Sequence, residues 1–116
     1  MKRDIGLFIE DIIKSIKNIE EFSRSLDKDK FSKDNLRQSA IIRQLEIIGE
    51  AVKNISENLK NKNREIEWRN IASTRDKMIH HYFGVDLNII WEIIKKDLPV
   101  LEKQIKKIKK ELILTK

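Results

Sequence analysis

One stretch of this 116-residue chain concentrates side chains able to do chemistry: Arg75-Asp76-Lys77-Met78-Ile79-His80-His81-Tyr82. It holds both histidines of the protein and its single tyrosine, in an R-x4-H-x-Y arrangement running from Arg75 through His80 to Tyr82. Imidazole is the side chain whose ordinary pKa lets it accept and donate a proton near neutrality. A guanidinium stays charged and offers a planar fork matched to phosphate oxygens. Together they supply what cleavage of an RNA phosphodiester needs without a metal. A base takes the 2′-hydroxyl proton, an acid protonates the departing 5′-oxygen, and a fixed cation stabilises charge building on the phosphoryl oxygens. DNA lacks the 2′-hydroxyl, so this route selects RNA. The same residues could instead close a helix end by packing and hydrogen bonding, and the short pattern alone leaves both readings open.

Helical geometry constrains the first reading. At about 100° per residue, Arg75 and His80 lie about 140° apart around an ideal helix, whereas Arg75 and Tyr82 nearly coincide. Convergence on one phosphate then needs a distorted helix, an arginine that reaches around, or a second subunit. A symmetric homodimer would supply the last and double the positive charge at the cleft. Metal chemistry fits poorly. Adjacent His80 and His81 diverge on a helix, unlike the four-residue spacing that lets two histidines share an ion, and the chain has no cysteine. With no Gly-rich phosphate loop and no Ser-His-Asp spacing, neither a metal nor a cofactor is expected.

The elements that must position this stretch read as helices. Ile5, Phe8, Ile9, Ile12, Ile13, Ile16, Ile19 and Phe22 recur in three- and four-residue steps, which predicts an amphipathic helix over 3–25. Asp27-Lys28-Asp29-Lys30 has no apolar period and reads as a connector. A second helix, capped by Ser32 or Asp34, carries Leu36, Ala40, Ile41, Leu45, Ile48, Val52, Ile55 and Leu59 to about residue 60, as the longest element. Gly49 within it makes most sense where another helix approaches closely. A third helix covers 68–82 and stops at Gly84. A fourth starts from Asp86 and carries Leu87, Ile90, Trp91 and Ile94. Pro99 marks a fresh start or a kink before a final helix with Leu101, Ile105, Ile108 and Leu112.

Four to five helices with short connections and no strand candidate predict an all-α, up-and-down antiparallel bundle forming one domain over 1–116. One proline and three glycines leave little material for the turns of an all-β domain. The absence of cysteine excludes a disulfide framework and a thiol nucleophile, and no apolar run approaches the roughly 20 residues that span a bilayer. A soluble, cytoplasmic protein with no membrane partner is expected. The net charge of +6 suits a polyanionic partner, although abundant Lys, Glu and Ile can also reflect the host's genome or growth temperature. Trp68 and Trp91 sit at helical apolar positions and read as core anchors rather than base-stacking platforms. Lys103, Lys106, Lys107, Lys109, Lys110 and Lys116 make the C-terminal segment basic; a solvated face is the first reading and RNA attraction the second.

Ile41-Ile42-Arg43-Gln44-Leu45-Glu46-Ile47-Ile48-Gly49-Glu50-Ala51, then Trp68-Arg69-Asn70-Ile71-Ala72, then Arg75 through Asp86, resemble the signature of the HepT-like proteins of the HEPN superfamily. The resemblance continues through Trp91-Glu92-Ile93-Ile94 and Leu98-Pro99, so it covers nearly the whole chain. It implies a dimeric helical bundle acting as the ribonuclease toxin of a type VII toxin–antitoxin pair. The partner it implies is a minimal nucleotidyltransferase (MNT) that silences the toxin by transferring AMP to a tyrosine. Carried over, Arg75 and His80 match the catalytic pair, Asp76 the polar residue that commonly follows the arginine, and Tyr82 the AMP acceptor; His81 gains no role. An added AMP would oppose RNA approach by bulk and by its negative charge. Arg43, Glu46 and Glu50, at three- and four-residue steps, read first as an intrahelical ion pair and second as support for the cleft. The rival function is a non-catalytic helical subunit that docks on and regulates a nucleotidyltransferase.

Overall fold

The computed structural model describes the backbone of residues 4–80 and 86–114, and their side chains except those of 75–80. Among the described residues there is no strand. Helix α1 (Ile5–Ser23) begins where the Asp4 carboxylate accepts from the Gly6 amide at 2.8 Å. Its stripe of Ile9, Ile12, Ile13, Ile16 and Ile19 is buried, as the apolar period requires.

The expected connector after α1 is instead a short helix, α2 (Lys28–Lys33). The Asp27 carboxylate caps it by accepting from the Lys30 amide at 2.8 Å, and Phe31, 1% exposed, anchors it in the core. Six residues hold too few turns for a period to show, so a cap and one buried ring suffice without leaving a pattern.

Helix α3 (Asn35–Lys53) is capped by Asp34, whose carboxylate accepts from the Arg37 amide at 3.0 Å; Ser32 lies inside α2 and does not serve. The second helix does not run to residue 60. It ends at Asn54, whose side-chain amide donates to the Glu50 carbonyl at 2.9 Å and whose backbone N–H turns back to Ala51 and Val52. Ile55 dips into the core, and Ser56 caps a new short helix, α4 (Glu57–Lys62). Apolar spacing carries across this break, but Asn and Ser offer the backbone local alternatives to the helical ladder. Helices α1 and α3 are thus equal in length, at 19 residues each.

Helix α5 (Trp68–His80) follows, and the expected extension to residue 82 and stop at Gly84 lie outside the described residues. Asp86 caps α6 (Leu87–Glu92) by accepting from the Asn88 amide at 2.9 Å. A π turn (Ile93–Asp97) then leads directly into α7 (Leu98–Leu114). The Leu98 amide reaches back five residues to the Ile93 carbonyl. Pro99, second in α7, has no N–H to give and a ring that crowds the preceding turn, so the widened turn keeps one helical run through it. Of the two outcomes expected at Pro99, the distortion within a continuing helix is the one observed.

The result is an all-α bundle of four long helical runs, with α2 and α4 as single-turn additions. Helix α3 packs against α1 on one side and α5 on the other, α1 packs against α7, and α2 lies against α3 and α6. Trp68 and Trp91 are both core residues at 8% exposure. The Trp91 ring lies 5.3 Å from that of Phe31 and carries the Lys95 ammonium over its outer face at 4.7 Å.

Candidate functional site

Helix α5 carries the candidate chemistry and is fixed at its start by Trp68, whose indole N–H donates to the Asn63 carbonyl at 3.1 Å. The same carbonyl accepts from the Ile66 amide at 3.1 Å, so a tight turn and a buried ring jointly set where α5 begins. From there the helix runs unbroken to His80. Arg75, Asp76 and His80 therefore share one regular helix, with Arg75 and His80 about 140° apart around its axis. A distortion between them, one of three routes to convergence, is not taken. Side-chain positions of Arg75, Asp76 and His80, and Tyr82 altogether, lie outside the described residues.

Around the ring of long helices the seams α1–α3, α3–α5 and α1–α7 are packed, whereas α5 and α7 form no comparable seam among the described residues. A cleft of about 330 Å³ occupies that gap. Its floor is apolar, from Leu45 and Ile48 of α3, Ile71 of α5, and Leu98 and Leu101 of α7. Its rim is polar: Asn70 and Thr74 from α5, Gln104 from α7, with Glu65, Glu67, Lys96 and Asp97 around them. Several rim groups are held in place. Asn70 donates to the Glu67 carboxylate at 2.6 Å, the Thr74 hydroxyl donates to the Asn70 carbonyl at 2.8 Å, and Gln104 donates to the Glu65 carbonyl at 3.4 Å across the gap. Thr74 immediately precedes Arg75, so the cleft runs up to the helical turn where the R-x4-H pattern starts. A gap of this volume with an apolar floor and fixed polar rim suits a base or nucleoside-sized group.

Electrostatics at the rim are local. Lys96 pairs with Glu92 at 2.7 Å; the shared hydrogen bond and attraction hold the Glu92 carboxyl below, and the Lys96 ammonium above, its ordinary value. No cluster of His, Cys, Asp and Glu suited to a metal occurs among the described residues.

The α3 trio separates. Arg43 Nη1 lies 3.3 Å from the Glu46 carboxylate, with the two side chains 69% and 22% exposed, which is the intrahelical ion pair anticipated from the spacing. Glu50 is exposed one turn further on. The cleft itself was not legible in the sequence: Asn70, Thr74 and Gln104 follow no motif, and only the packing of α5 and α7 onto α3 brings them together. No helix among the described residues is long and apolar enough to cross a membrane.

Comparison with known proteins gives a consistent picture. A family model described as ribonuclease HepT-like matches residues 12–108. A Thermococcus cleftensis protein named probable ribonuclease HepT is 46% identical over 110 residues, covering 95% of this chain and 100% of the relative. A Methanocaldococcus jannaschii protein provisionally named an RNase is 43% identical over 111 residues, covering 96% of this chain and 92% of the relative. Another provisionally named RNase, from Caldanaerobacter subterraneus, is 44% identical over 101 residues, covering 87% and 90%. No solved structure gives a significant match.

Proposed function

The chain belongs to the HepT-like ribonuclease family, and from that membership we propose a metal-independent endoribonuclease with Arg75 and His80 as its catalytic pair. The observation that carries the reading is that the family match over 12–108 includes the one segment holding Arg75, His80 and Tyr82. The guanidinium of Arg75 binds the scissile phosphate and stabilises charge on its oxygens. His80 moves protons between the 2′-hydroxyl and the departing 5′-oxygen. Asp76 supports the arginine from the next helical position. Because the two catalytic residues diverge on a continuous helix, a homodimer that places α5 of each copy at one cleft supports convergence on the phosphate better than one copy alone.

In this reading the enzyme is the toxin of a toxin–antitoxin pair. Its partner is a minimal nucleotidyltransferase that adds AMP to Tyr82 and so closes the cleft to RNA. The family resemblance supports both statements, and the test is direct. Purified wild type should cut RNA in the presence of a chelator, and His80→Ala should lose about 10²–10⁴-fold, the usual contribution of a positioned proton-transfer group. Equal cleavage by both would remove the catalytic assignment and favour a binding subunit. Incubation with the nucleotidyltransferase and ATP should raise the mass of wild type, and not of Tyr82→Phe, by one or more AMP groups; an unmodified wild type would remove the switch.

A further inference from the structure

The lysines of α7 divide into two sets. Lys109 pairs with Glu10 of α1 at 2.7 Å and Lys106 with Glu102 at 3.7 Å, so these two are engaged along the α1–α7 seam. Lys103, Lys107 and Lys110 are exposed and carry no ion pair or hydrogen bond among the described residues. Their steps of four and three place them within an arc of about 60° on the helix, turned away from the Glu102–Lys109 side that meets α1. That arc borders Val100 and Gln104, which line the α5–α7 cleft. The free lysines therefore prolong one rim of the cleft as a cationic ridge, with Glu111 the one acid flanking it on the cleft side. Helix α7 carries five lysines against two glutamates, half of the chain's net charge of +6.

Burial does not explain the ridge, since exposed, unpaired lysines add nothing to the core. Intrahelical pairing does not explain it either, because Glu102 is taken up by Lys106 and no ion pair among the described residues joins Glu111, the other acid of α7, to Lys103, Lys107 or Lys110. A regular row of point charges beside a nucleoside-sized cleft matches a polyanion whose charges also recur at regular steps. We propose that Lys103, Lys107 and Lys110 form a track for the sugar–phosphate backbone of single-stranded RNA, leading it along α7 to the α5–α7 cleft. The proposal rests on the ribonuclease reading and adds to it the surface by which the substrate is held. The carboxylate-rich rim repels phosphate, so the backbone stays on the ridge while the cleft receives a base.

The test measures binding of wild type to a single-stranded RNA bearing 2′-O-methyl groups, which cannot be cut, as salt is varied. Contact with three phosphates contributes a slope of about −2 to log K against log salt, and about 100-fold in affinity at 0.1 M salt. The triple variant K103Q/K107Q/K110Q, which keeps good helix formers, should lose that slope and that affinity. A control triple with the same change in charge, K28Q/K30Q/K62Q on α2 and α4, should weaken binding by less than about 3-fold. Equal losses in the two triples would overturn the ridge, as the effect would then be net charge alone. Loss of binding to vesicles rich in phosphatidylglycerol, with RNA binding retained, would also overturn it in favour of a membrane surface. If the ridge triple loses helix content by circular dichroism, K107Q alone should lower the slope by about 0.7, and an unchanged slope there counts against the track. Wild type that neither binds nor cuts RNA would remove the ribonuclease reading itself. Wild type that cuts RNA while the ridge triple behaves like the control would remove only the track.

Discussion

Replacing Trp68 by Phe probes how α5 is held in place. The indole is 8% exposed and its N–H donates to the Asn63 carbonyl at 3.1 Å. Phenylalanine fills most of the same space and removes the donor. The carbonyl keeps its second partner, the Ile66 amide at 3.1 Å, so no buried acceptor is orphaned and the loss is one net hydrogen bond, about 1 kcal/mol. The missing edge of the fused ring forfeits buried apolar contact worth about 1 kcal/mol more. A destabilisation of about 2 kcal/mol follows. For 116 residues, unfolding entropy near the midpoint is about 0.24 kcal/mol/K, so Tm should fall by about 8 °C. Thermal melts followed by circular dichroism, with urea titrations to check that m is unchanged, measure this. Below the transition the variant should cut RNA at the wild-type rate, because α5 still ends in the same place. A change under about 0.5 kcal/mol would show that the Asn63 contact does not fix α5, and a lowered rate in fully folded protein would show that Trp68 does more than anchor it.

Two further outcomes concern stability. The Glu20 carboxyl on α1 is raised above its ordinary 4.5 by partial burial, then by hydrogen bonding to and repulsion from Glu102 on α7, against the pull of Lys106 and Lys17. A raised acid binds its proton more tightly when folded, so its contribution favours folding at low pH and is lost as pH climbs through the folded value. Glu20→Gln should therefore stabilise the protein at pH 7 relative to pH 4.5, by about 0.5 kcal/mol or less because the side chain is exposed; an identical pH profile for variant and wild type would refute the coupling. Asp34→Ala removes the cap of α3 and should cost about 1 kcal/mol in urea denaturation, whereas Ser32→Ala should cost less, since Ser32 does not cap α3; the reverse order would refute the assignment of the cap.

Most of the bundle was legible in local pattern. The apolar stripe of α1 predicted its five buried isoleucines, with Ile5, Phe8 and Phe22 only partly buried and Ser15 and Ser23 buried outside the stripe. Asp86, and Asp34 as one of two candidates, were readable as caps because a carboxylate before an apolar run satisfies amides within its own turn. Failures share one cause. Residues 28–33 are helical because Phe31 is buried against Trp91, and the break at Asn54–Ser56 comes from side chains that compete with the ladder while the apolar period continues through them. Neither feature changes the periodicity that a sequence displays.

The candidate chemistry divides in the same way. The candidacy of Tyr82 came from the family resemblance, whereas Arg75 and His80 could be singled out as candidates from residue type and spacing, since phosphate binding and proton transfer call for those groups wherever they stand. So could the total charge of α7, because composition is independent of fold. Which lysines of α7 are engaged and which are free, and that α5 and α7 leave a cleft between them, depended on how the helices rotate against one another. An acid on α1 can engage a lysine on α7 only after burial of the isoleucine stripes has set that rotation, so the answer belongs to the packed bundle and not to any single helix.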